Sequence, residues 1–320
     1  MRSILPGAPW LIAHKSMLGI DRPNKITLNG KDYVIWQNKT GEIAALNNIC
    51  PHMQAPLSDG WICEKRNTIT CPFHALEFDS QGKLYKEGKE KNQPITETLE
   101  LIVKEDFIWT YGGLEPKIPI PDLLEKVTEK YDFIGVTGEK SIQGDFLSSI
   151  LVNYDYNHQN GTHKELFRIK SCRVSSFQEN GYYAKVEQEA IRDDNSIAEI
   201  IKNPALAIIP KVMNNLLEYS FPSMTIFQAK SPIGEIIQTH ILYPETVKQT
   251  KTFILMYLKT KNPVLKMLFK NSFLAAANTV VEQDTTAVES LYPREKAKIK
   301  LPGEEVMFYA EKLYREWQKN

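Results

Sequence analysis

The residues best suited to chemistry are two short pairs of cysteine and histidine in the first quarter of the chain. Cys50 and His52 form one pair, and Cys71 and His74 form the other, with eighteen residues between His52 and Cys71. Two sulfide-bridged irons can share such ligands unequally, one held by two thiolates and the other by two imidazoles. Neutral imidazoles in place of two thiolates also raise the reduction potential. The pattern therefore predicts a two-iron cluster.

A structural zinc site is the alternative for these four residues, because two cysteines and two histidines also suit tetrahedral zinc. Zinc fingers usually group the cysteines in one arm and the histidines in the other. Here each arm contains one of each, and Pro51 and Pro72 directly follow the cysteines. The mixed arms favour the iron cluster over zinc.

A second group of candidate ligands lies near the middle of the chain, where Asp155, His158 and His163 follow one another. Two imidazoles and one carboxylate that leave coordination positions open are the ligands of non-haem iron(II) sites that activate dioxygen. On an ideal helix, five residues subtend about 500°, so the two imidazoles would point about 140° apart. Gly161 can break the helix between them. We therefore expect His158 in the last regular turn and His163 in a distorted stretch after it; a pair of surface or capping histidines is the alternative.

The carboxylate that completes this second set is expected from a late helix, predicted over residues 273–292. This helix offers Glu282, Asp284 and Glu289, and only Asp284 falls within its apolar stripe, which comprises Ala277, Val280, Val281, Val288 and Leu291. A charge on a buried face is unfavourable unless it is paired or bound to a metal. We therefore predict Asp284 as the third ligand. A buried ion pair with a lysine or arginine is the alternative.

The elements that must position these ligands differ between the two ends of the chain. The first third contains short strand-like runs separated by Asn-Gly and Thr-Gly turns. Three prolines within residues 115–121 indicate a domain boundary. We predict an all-β domain over residues 1–116 and an α+β domain over residues 117–320. The second domain contains predicted strands at Tyr182–Ile191, Ser220–Lys230, Ile236–Tyr243 and Thr252–Lys259, a long helix at Leu265–Tyr292 and an amphipathic helix at the end.

Composition excludes several other classes of protein. The 320 residues include 39 basic and 39 acidic side chains, so a formal net charge of zero gives no indication of nucleic-acid binding. Four cysteines are too few for a disulfide scaffold in a chain of this length. The first twenty residues do not resemble a secretory signal. The most apolar stretch, Pro263–Val281, contains Lys266 and Lys270 and is too polar to span a bilayer. We therefore expect a soluble protein of the reducing cytoplasm.

The first group of ligands resembles the Rieske motif of the non-haem iron aromatic-ring-hydroxylating oxygenases, Cys-x-His followed by Cys-x-x-His. The flanks are also similar: Ala55-Pro56-Leu57-Ser58 and Gly60 follow the first arm, and Phe78-Asp79 and Gly82 follow the second. Two positions depart from the usual pattern. Ala75-Leu76 replaces a Gly-Trp pair after the second histidine, and Met53 replaces an arginine that often follows the first. We expect these changes to alter the reduction potential of the cluster rather than to prevent the cluster from forming.

This resemblance implies a Rieske [2Fe–2S] domain followed by a catalytic domain with a mononuclear Fe(II), in which a curved antiparallel sheet is covered by helices in a helix-grip arrangement. Relatives supply an aspartate from a late helix, in agreement with Asp284. Asp155 resembles their bridging carboxylate, which hydrogen-bonds to a cluster histidine of a neighbouring subunit. By that likeness it would meet His74, or else His52, of another chain in a homotrimer. The simpler alternative is a helix-capping aspartate.

The same resemblance implies a terminal oxygenase of the homotrimeric monooxygenase and demethylase group. Electrons would come from NAD(P)H through a reductase, a ferredoxin or both. We expect hydroxylation or oxidative demethylation of a small, largely apolar organic substrate. The alternatives are arene cis-dihydroxylation, a non-catalytic Rieske electron carrier and a zinc-stabilised binding protein. His240 is interpreted as a core histidine rather than as part of the substrate cavity.

Overall fold

The computed structural model describes residues 3–85, 93–295 and 297–319. It divides into two compact units. The first comprises the described residues up to Ile120 together with Tyr243–Val247, and the second comprises Pro121–Leu242 and the described residues from Lys248 onward. The assignment of residues 1–116 and 117–320 to two functional domains remains a prediction.

The first unit consists almost entirely of short antiparallel strands in three sheets. The sheets have the strand orders β1-β10-β9, β2-β3-β4 and β5-β6-β7-β8. The elements are β1 (Trp10–His14), α1 (Lys15–Leu18), β2 (Asn24–Leu28), β3 (Lys31–Gln37), β4 (Ile43–Asn47), β5 (Trp61–Cys63), β6 (Thr68–Thr70), β7 (Glu77–Phe78), β8 (Leu84–Tyr85), β9 (Ile102–Lys104) and β10 (Phe107–Thr110). This is the all-β architecture that the sequence predicts.

Local sequence explains much of this unit. Asn29 and Gly30 join β2 to β3 as a two-residue turn in which both have positive φ, 50° and 79°. Such turns match the right-handed twist of a hairpin and favour an Asn-Gly pair. The strands bury an apolar cluster around Trp36, Leu46 and Phe78, and Cys50 and Cys71 belong to the same cluster. The two cysteines are therefore anchored in the core of this unit.

The second unit is built on an eight-stranded antiparallel sheet with the order β11-β18-β17-β16-β15-β14-β13, in which β12 also pairs with β18. Helices cover one face. Its elements are α2 (Leu123–Thr128), β11 (Asp132–Val136), β12 (Lys140–Gln143), α3 (Phe146–Tyr154), α4 (Lys164–Phe167), β13 (Ile169–Asn180), β14 (Tyr183–Arg192), α5 (Ile197–Lys202), β15 (Val212–Ser220), β16 (Met224–Ser231), β17 (Gly234–Thr246), β18 (Gln249–Lys259), α6 (Pro263–Glu289) and α7 (Glu305–Trp317).

The long helix α6 is the element that brings Asp284 to the sheet. Asn262 caps its first turn, since the side-chain oxygen accepts hydrogen bonds from the N–H groups of Val264 and Leu265. One face of the helix is buried at Phe273, Ala277, Val280 and Val281, in the same apolar cluster as Ile254, Met256 and Leu258 of β18. Burying this face fixes the rotation of the helix about its axis, and therefore the direction of Asp284.

The α+β class of the chain is confirmed, but four strands of the second unit were missed, namely β11, β12, β13 and all but the last residue of β15. β13 forms one edge of the sheet, and β15 is the third strand from that edge. The predicted strand Ser220–Lys230 corresponds to β16 and the last residue of β15. The helix predicted to reach Tyr292 ends at Glu289. Within the described ranges, no helix is both long and apolar enough to cross a membrane.

Candidate metal centres and substrate cavity

The first cysteine–histidine pair lies in a loop held by two reciprocal backbone hydrogen bonds. The N–H of Cys50 donates to the carbonyl of Ala55 at 2.9 Å, and the N–H of Gln54 donates back to the carbonyl of Cys50 at 2.9 Å. Gln54 closes the loop in the left-handed conformation, with φ of 56°. This closed loop carries His52 at its outer end.

The second pair repeats the same backbone pattern. The N–H of Cys71 donates to the carbonyl of Leu76 at 2.8 Å, and the N–H of Ala75 donates to the carbonyl of Cys71 at 3.1 Å. Ala75 has φ of 54°, a conformation in which glycine meets no steric penalty but alanine does. The glycine expected from the resemblance has thus been replaced without loss of the loop geometry, at the expense of local strain.

The four side chains of these loops divide into an inner and an outer pair. Cys50 and Cys71 are almost fully buried, at 1% and 0% exposure, and neither forms a disulfide. His52 and His74 are exposed, and their ring centroids are 4.6 Å apart. Burial raises the pKa of Cys50, and the neighbouring Cys71 thiol adds to this rise. Two buried sulfurs beneath two exposed imidazoles suit a cluster with one inner and one outer iron.

The second group of ligands comes from three separate elements. His158 lies in a 3-10 turn, Asn157–Asn160, and His163 directly precedes α4. The prediction that His158 occupies the last regular turn of the preceding helix is wrong, because α3 ends at Tyr154. The chain leaves the helix before either histidine, so the 3.6-residue repeat no longer separates them. Asp284 lies 121 residues after His163, on α6.

The structure brings these three side chains to one point. The Nε2 atoms of His158 and His163 are 3.1 Å apart, and Oδ1 of Asp284 lies 3.3 Å and 3.0 Å from them. An octahedral ion with bonds of about 2.1 Å holds adjacent ligand atoms about 3.0 Å apart. The spacing of the three atoms therefore corresponds to one triangular face of an octahedron, which leaves the opposite face open.

The remaining ring nitrogens decide which atoms are available to an ion. Nδ1 of His158 contacts the backbone carbonyl of Asp155, and Nδ1 of His163 lies 2.7 Å from Oε1 of Gln283. Both partners are acceptors, so each Nδ1 carries the proton and each Nε2 presents a lone pair. Oδ1 of Asp284 is buried without a hydrogen-bond partner among the described residues. Three facing acceptors repel one another unless a cation lies between them.

Protons compete with a metal ion for the ligand atoms of His158, His163 and Asp284. Burial lowers the pKa of His158, but Asp284 outweighs that effect and the pKa is raised overall. Burial likewise disfavours the charged form of Asp284, but the two imidazoles hold its pKa well below the ordinary value. An ion-free site can therefore form a His–Asp ion pair, the alternative to metal binding. Gln283 is the partner that holds His163 in the metal-binding tautomer. Sequence reasoning missed this residue, and only its position next to Asp284 in the chain could have indicated its role.

Asp155 lies at the end of α3, beside the histidine ligands. Its Oδ1 accepts a hydrogen bond from the N–H of Asn157 at 2.8 Å, and burial raises its pKa. The carboxylate therefore holds the backbone at the start of the turn that carries His158, whose N-cap is Tyr156. This hydrogen bond uses one acceptor position of the carboxylate and leaves others for a further partner.

A cavity adjoins the three converging ligands. One wall is the sheet, which contributes Asn215, Leu217, Thr225, Phe227, Gln238 and His240. The opposite wall is formed by Phe273, Ala276 and Val280 of α6 and by Ala205, Leu206 and Ile209. The interpretation of His240 as a core histidine is wrong, because β17 turns its ring toward this space. Burial lowers the pKa of His240 to about 4, so the ring is neutral.

Comparison with known proteins agrees with this architecture. Residues 9–100 match the family description "Rieske [2Fe-2S] domain". The chain is 24% identical over 265 residues to the oxygenase component of dicamba O-demethylase from Stenotrophomonas maltophilia, a match that covers 74% of each chain. It is 26% identical over 195 residues to aminopyrrolnitrin oxygenase PrnD from Pseudomonas fluorescens, covering 58% of this chain and 53% of that protein. The chain thus matches about half the length of PrnD.

The likeness among solved structures extends over the whole chain. Dicamba monooxygenase bound to dicamba superimposes with a TM-score of 0.79 at 18% identity, covering 99% of this chain and 98% of that one. NdmA from Pseudomonas putida CBB5 gives a TM-score of 0.65 at 15% identity and covers 98% of this chain and 90% of that one. At these identities the likeness concerns the fold.

The fold and the two groups of candidate ligands are those expected of a protein with a cluster domain and a separate mononuclear metal centre. The chain is therefore similar to Rieske non-haem iron oxygenases: residues 9–100 match the Rieske domain, and the relatives include the oxygenase component of an O-demethylase. The domain match supports the expected [2Fe–2S] cluster, and the fold that would hold the expected mononuclear iron is shared with a solved structure of dicamba monooxygenase that contains non-haem iron.

Proposed function

We propose that this chain is a terminal oxygenase that hydroxylates or oxidatively demethylates a small, largely apolar organic substrate with dioxygen and electrons from a partner. The observation that carries this proposal is the convergence of His158, His163 and Asp284 beside a mainly apolar cavity. Three ligands on one face leave room for both dioxygen and substrate. An electron carrier has no need of such a cavity.

The ligand roles follow from burial and spacing. Cys50 and Cys71 would hold the inner iron of the cluster, and the exposed His52 and His74 would hold the outer iron. The mononuclear iron would be held by the triad described above. When bound, the cluster supplies single electrons and the mononuclear iron activates dioxygen.

The chain's own residues position the reaction. Gln283 and the carbonyl of Asp155 orient the two imidazoles, because each accepts the proton of one Nδ1. Phe227, Phe273 and Val280 face the cavity and exclude water from the side of the substrate. Substrate held against this apolar wall lies next to the open coordination positions.

Asp155 is proposed to connect the two kinds of centre. Its carboxylate would hydrogen-bond to His74, or else to His52, of a neighbouring subunit in a homotrimer. The exposure of both cluster histidines supports this role, because their rings remain open to another chain. The hydrogen bond from Asn157 does not compete with it, since a carboxylate accepts several hydrogen bonds.

The electron donor is proposed to be a ferredoxin, an NAD(P)H-dependent reductase or both. Large apolar side chains lie exposed in and near the cluster loops, with Met53 at 53%, Trp61 at 50% and Phe73 at 61% exposure. Apolar side chains beside exposed ligands are suited to transient contact with a redox partner. A cytoplasmic location accords with a donor that uses NAD(P)H and remains a prediction.

Metal content separates this proposal from its competitors. Anaerobically reconstituted protein should contain about three irons per chain, whereas a cluster-only carrier contains two and a zinc protein none. The reduced holoprotein should also consume dioxygen and release formaldehyde from methyl ether or N-methyl substrates. Two irons per chain, or three irons without oxygen consumption, would contradict the proposal. Arene cis-dihydroxylation would instead yield a cis-diol without formaldehyde.

A further inference from the structure

The sheet wall of the cavity contains polar atoms that nothing in the described part of the protein satisfies. Asn215 is 4% exposed and lines the cavity, and neither its amide nitrogen nor its amide oxygen has a hydrogen-bond partner there. Oγ1 of Thr225, on the adjacent strand, is also buried without a partner. A buried polar group left unpaired is unfavourable, so such groups in a cavity point to a ligand.

The side chain that faces Asn215 from the neighbouring strand β14 does not form a hydrogen bond with it. Gln188 lies directly opposite Asn215 in the pairing of β14 with β15, but its Nε2 is also unpaired. Its Oε1 instead accepts a hydrogen bond from the thiol of Cys172 at 3.3 Å. The carboxamide of Asn215 thus keeps one donor and one acceptor for a molecule inside the cavity.

The charge of the cavity disfavours anionic substrates. Its described lining residues include no lysine or arginine, and His240 is neutral. The lining contains two carboxylates, Asp155 and Asp284. A buried anion without a countercharge is strongly disfavoured. A carboxylate substrate would therefore be poorly held, whereas a neutral one is not.

The volume of the cavity limits the size of the molecule. The cavity measures about 120 Å³. An engineered protein cavity of about 150 Å³ accepts benzene, so this one holds roughly a single ring before side chains move. Its α6 wall is apolar, and the sheet wall presents Asn215, Thr225 and Gln238 among apolar side chains, so one edge of the ring system would meet carbon atoms and the other would meet the Asn215 amide.

We propose that the substrate is an uncharged single-ring compound bearing one amide-type group, and that Asn215 selects it by donating to its carbonyl and accepting from its N–H. This inference rests on the proposed function, which supplies the reaction. A primary amide, lactam or similar neutral group matches both atoms of the Asn215 carboxamide. A carboxylate matches only the donor and repels the acceptor. Asn215 is thus a specificity-determining residue.

The test compares two probes of the same shape, 3-methoxybenzamide and 3-methoxybenzoate, by calorimetric titration of the anaerobic iron-loaded protein. The wild type should bind the benzamide at least tenfold more tightly than the benzoate. Asn215→Leu should weaken benzamide binding about tenfold to a hundredfold, the equivalent of two buried neutral hydrogen bonds, and change benzoate binding less than threefold. Asn214→Leu, on the exposed face of the same strand, should leave both affinities unchanged.

Thermal unfolding separates selection from a structural role. Asn215→Leu removes two unsatisfied buried polar atoms at nearly constant volume, so its Tm should be equal to or higher than that of the wild type. A lower Tm together with an unchanged ratio of the two affinities would overturn the proposal. Equal affinity of the wild type for both probes, or failure to bind the benzamide, would overturn it as well.

The outcome is distinguishable from failure of the proposed function. If the protein consumes dioxygen and prefers the benzoate, only the substrate inference fails. If benzamide binding depends on Asn215 but the iron-loaded, reduced protein releases no formaldehyde from the methoxy group and forms no hydroxylated product, the oxygenase proposal fails and the binding site stands.

Discussion

The two candidate metal centres are built in different ways. Each arm of the cluster site is a closed loop whose hydrogen bonds span only four or five residues. The mononuclear site instead joins a 3-10 turn, the start of a short helix and a helix 121 residues further along. The first depends on local backbone geometry, and the second depends on the packing of α6 against the sheet. This difference predicts that the two centres can be damaged independently.

The largest effect is expected from Asp284→Ala. Removal of the only carboxylate in the triad should lower the iron content from about three to about two per chain and reduce turnover more than a hundredfold. The absorption spectrum of the cluster should remain, because the first unit contributes none of the triad. Iron analysis and visible spectroscopy measure both effects.

Glu282→Ala is the matched control for this change. Glu282 is exposed on the same helix, and among the described residues its side chain pairs with Lys140 at 3.5 Å. Exposed ion pairs contribute about 0–1 kcal/mol, so iron content and turnover should stay near wild type. Loss of iron in both variants would show that the effect lies in helix stability rather than in ligation.

Asp155→Asn should slow electron transfer between the two metal centres without removing iron from either. Both should remain filled with iron, because Asp155 contributes only its backbone carbonyl to His158 and the variant retains that group. Coupled turnover should fall about a hundredfold if the carboxylate carries the contact between subunits. Single-turnover oxidation of the reduced cluster measures the transfer directly.

Asp193→Asn, an exposed carboxylate of the same unit, provides the control for Asp155→Asn. Normal coupled turnover by Asp155→Asn would refute the bridging role. Turnover that falls equally in both variants would refute it too, because the loss would then not be specific to the position of Asp155.

Gln283→Leu removes the hydrogen-bond partner of the candidate ligand His163 and leaves His163 itself unchanged. Loss of the acceptor at Nδ1 of His163 frees the ring to take the other tautomer. Partners of this kind typically contribute tenfold to a hundredfold in metal affinity or activity. Competition with an iron chelator should therefore show weaker binding of the mononuclear iron, whereas Gln283→Glu, which retains the acceptor, should restore it. Equal retention of iron by wild type and Gln283→Leu would exclude this role.

The smallest effect is expected in the cluster loop at Ala75. Alanine in the left-handed conformation is strained by about 1–2 kcal/mol, and glycine relieves this strain but adds about 0.4–1 kcal/mol of unfolded-state entropy. Ala75→Gly should therefore raise the free energy of unfolding by about 0.5 kcal/mol. Ala55→Gly, at a position without positive φ, should lower it by a similar amount. Denaturant titration of the holoprotein would contradict the interpretation if both changes had the same sign.

Sequence reasoning predicted groups of side chains that the structure brings together where candidate ligands and their supports are close in the chain. The cluster loops were recognisable because cysteine, proline and histidine stand together and the loop closes on itself within five residues. Asp284 was recognisable for a different reason, since a charge inside an apolar helical stripe requires a partner. The local path between His158 and His163 was predicted wrongly, because spacing alone does not reveal that the helix ends four residues before His158.

By itself, the sequence determined the kinds of metal ligand, the α+β class and the order of the two metal-binding regions, because these depend on residue type and on local periodicity. Only the tertiary structure decided which side chains share the cavity. Gln283, Asn215 and His240 come from α6, β15 and β17, and nothing in their local sequence marks them as neighbours of one space. Strand pairing and the rotation of α6 about its axis set the directions of these side chains. Both arise from contacts between residues far apart in the chain.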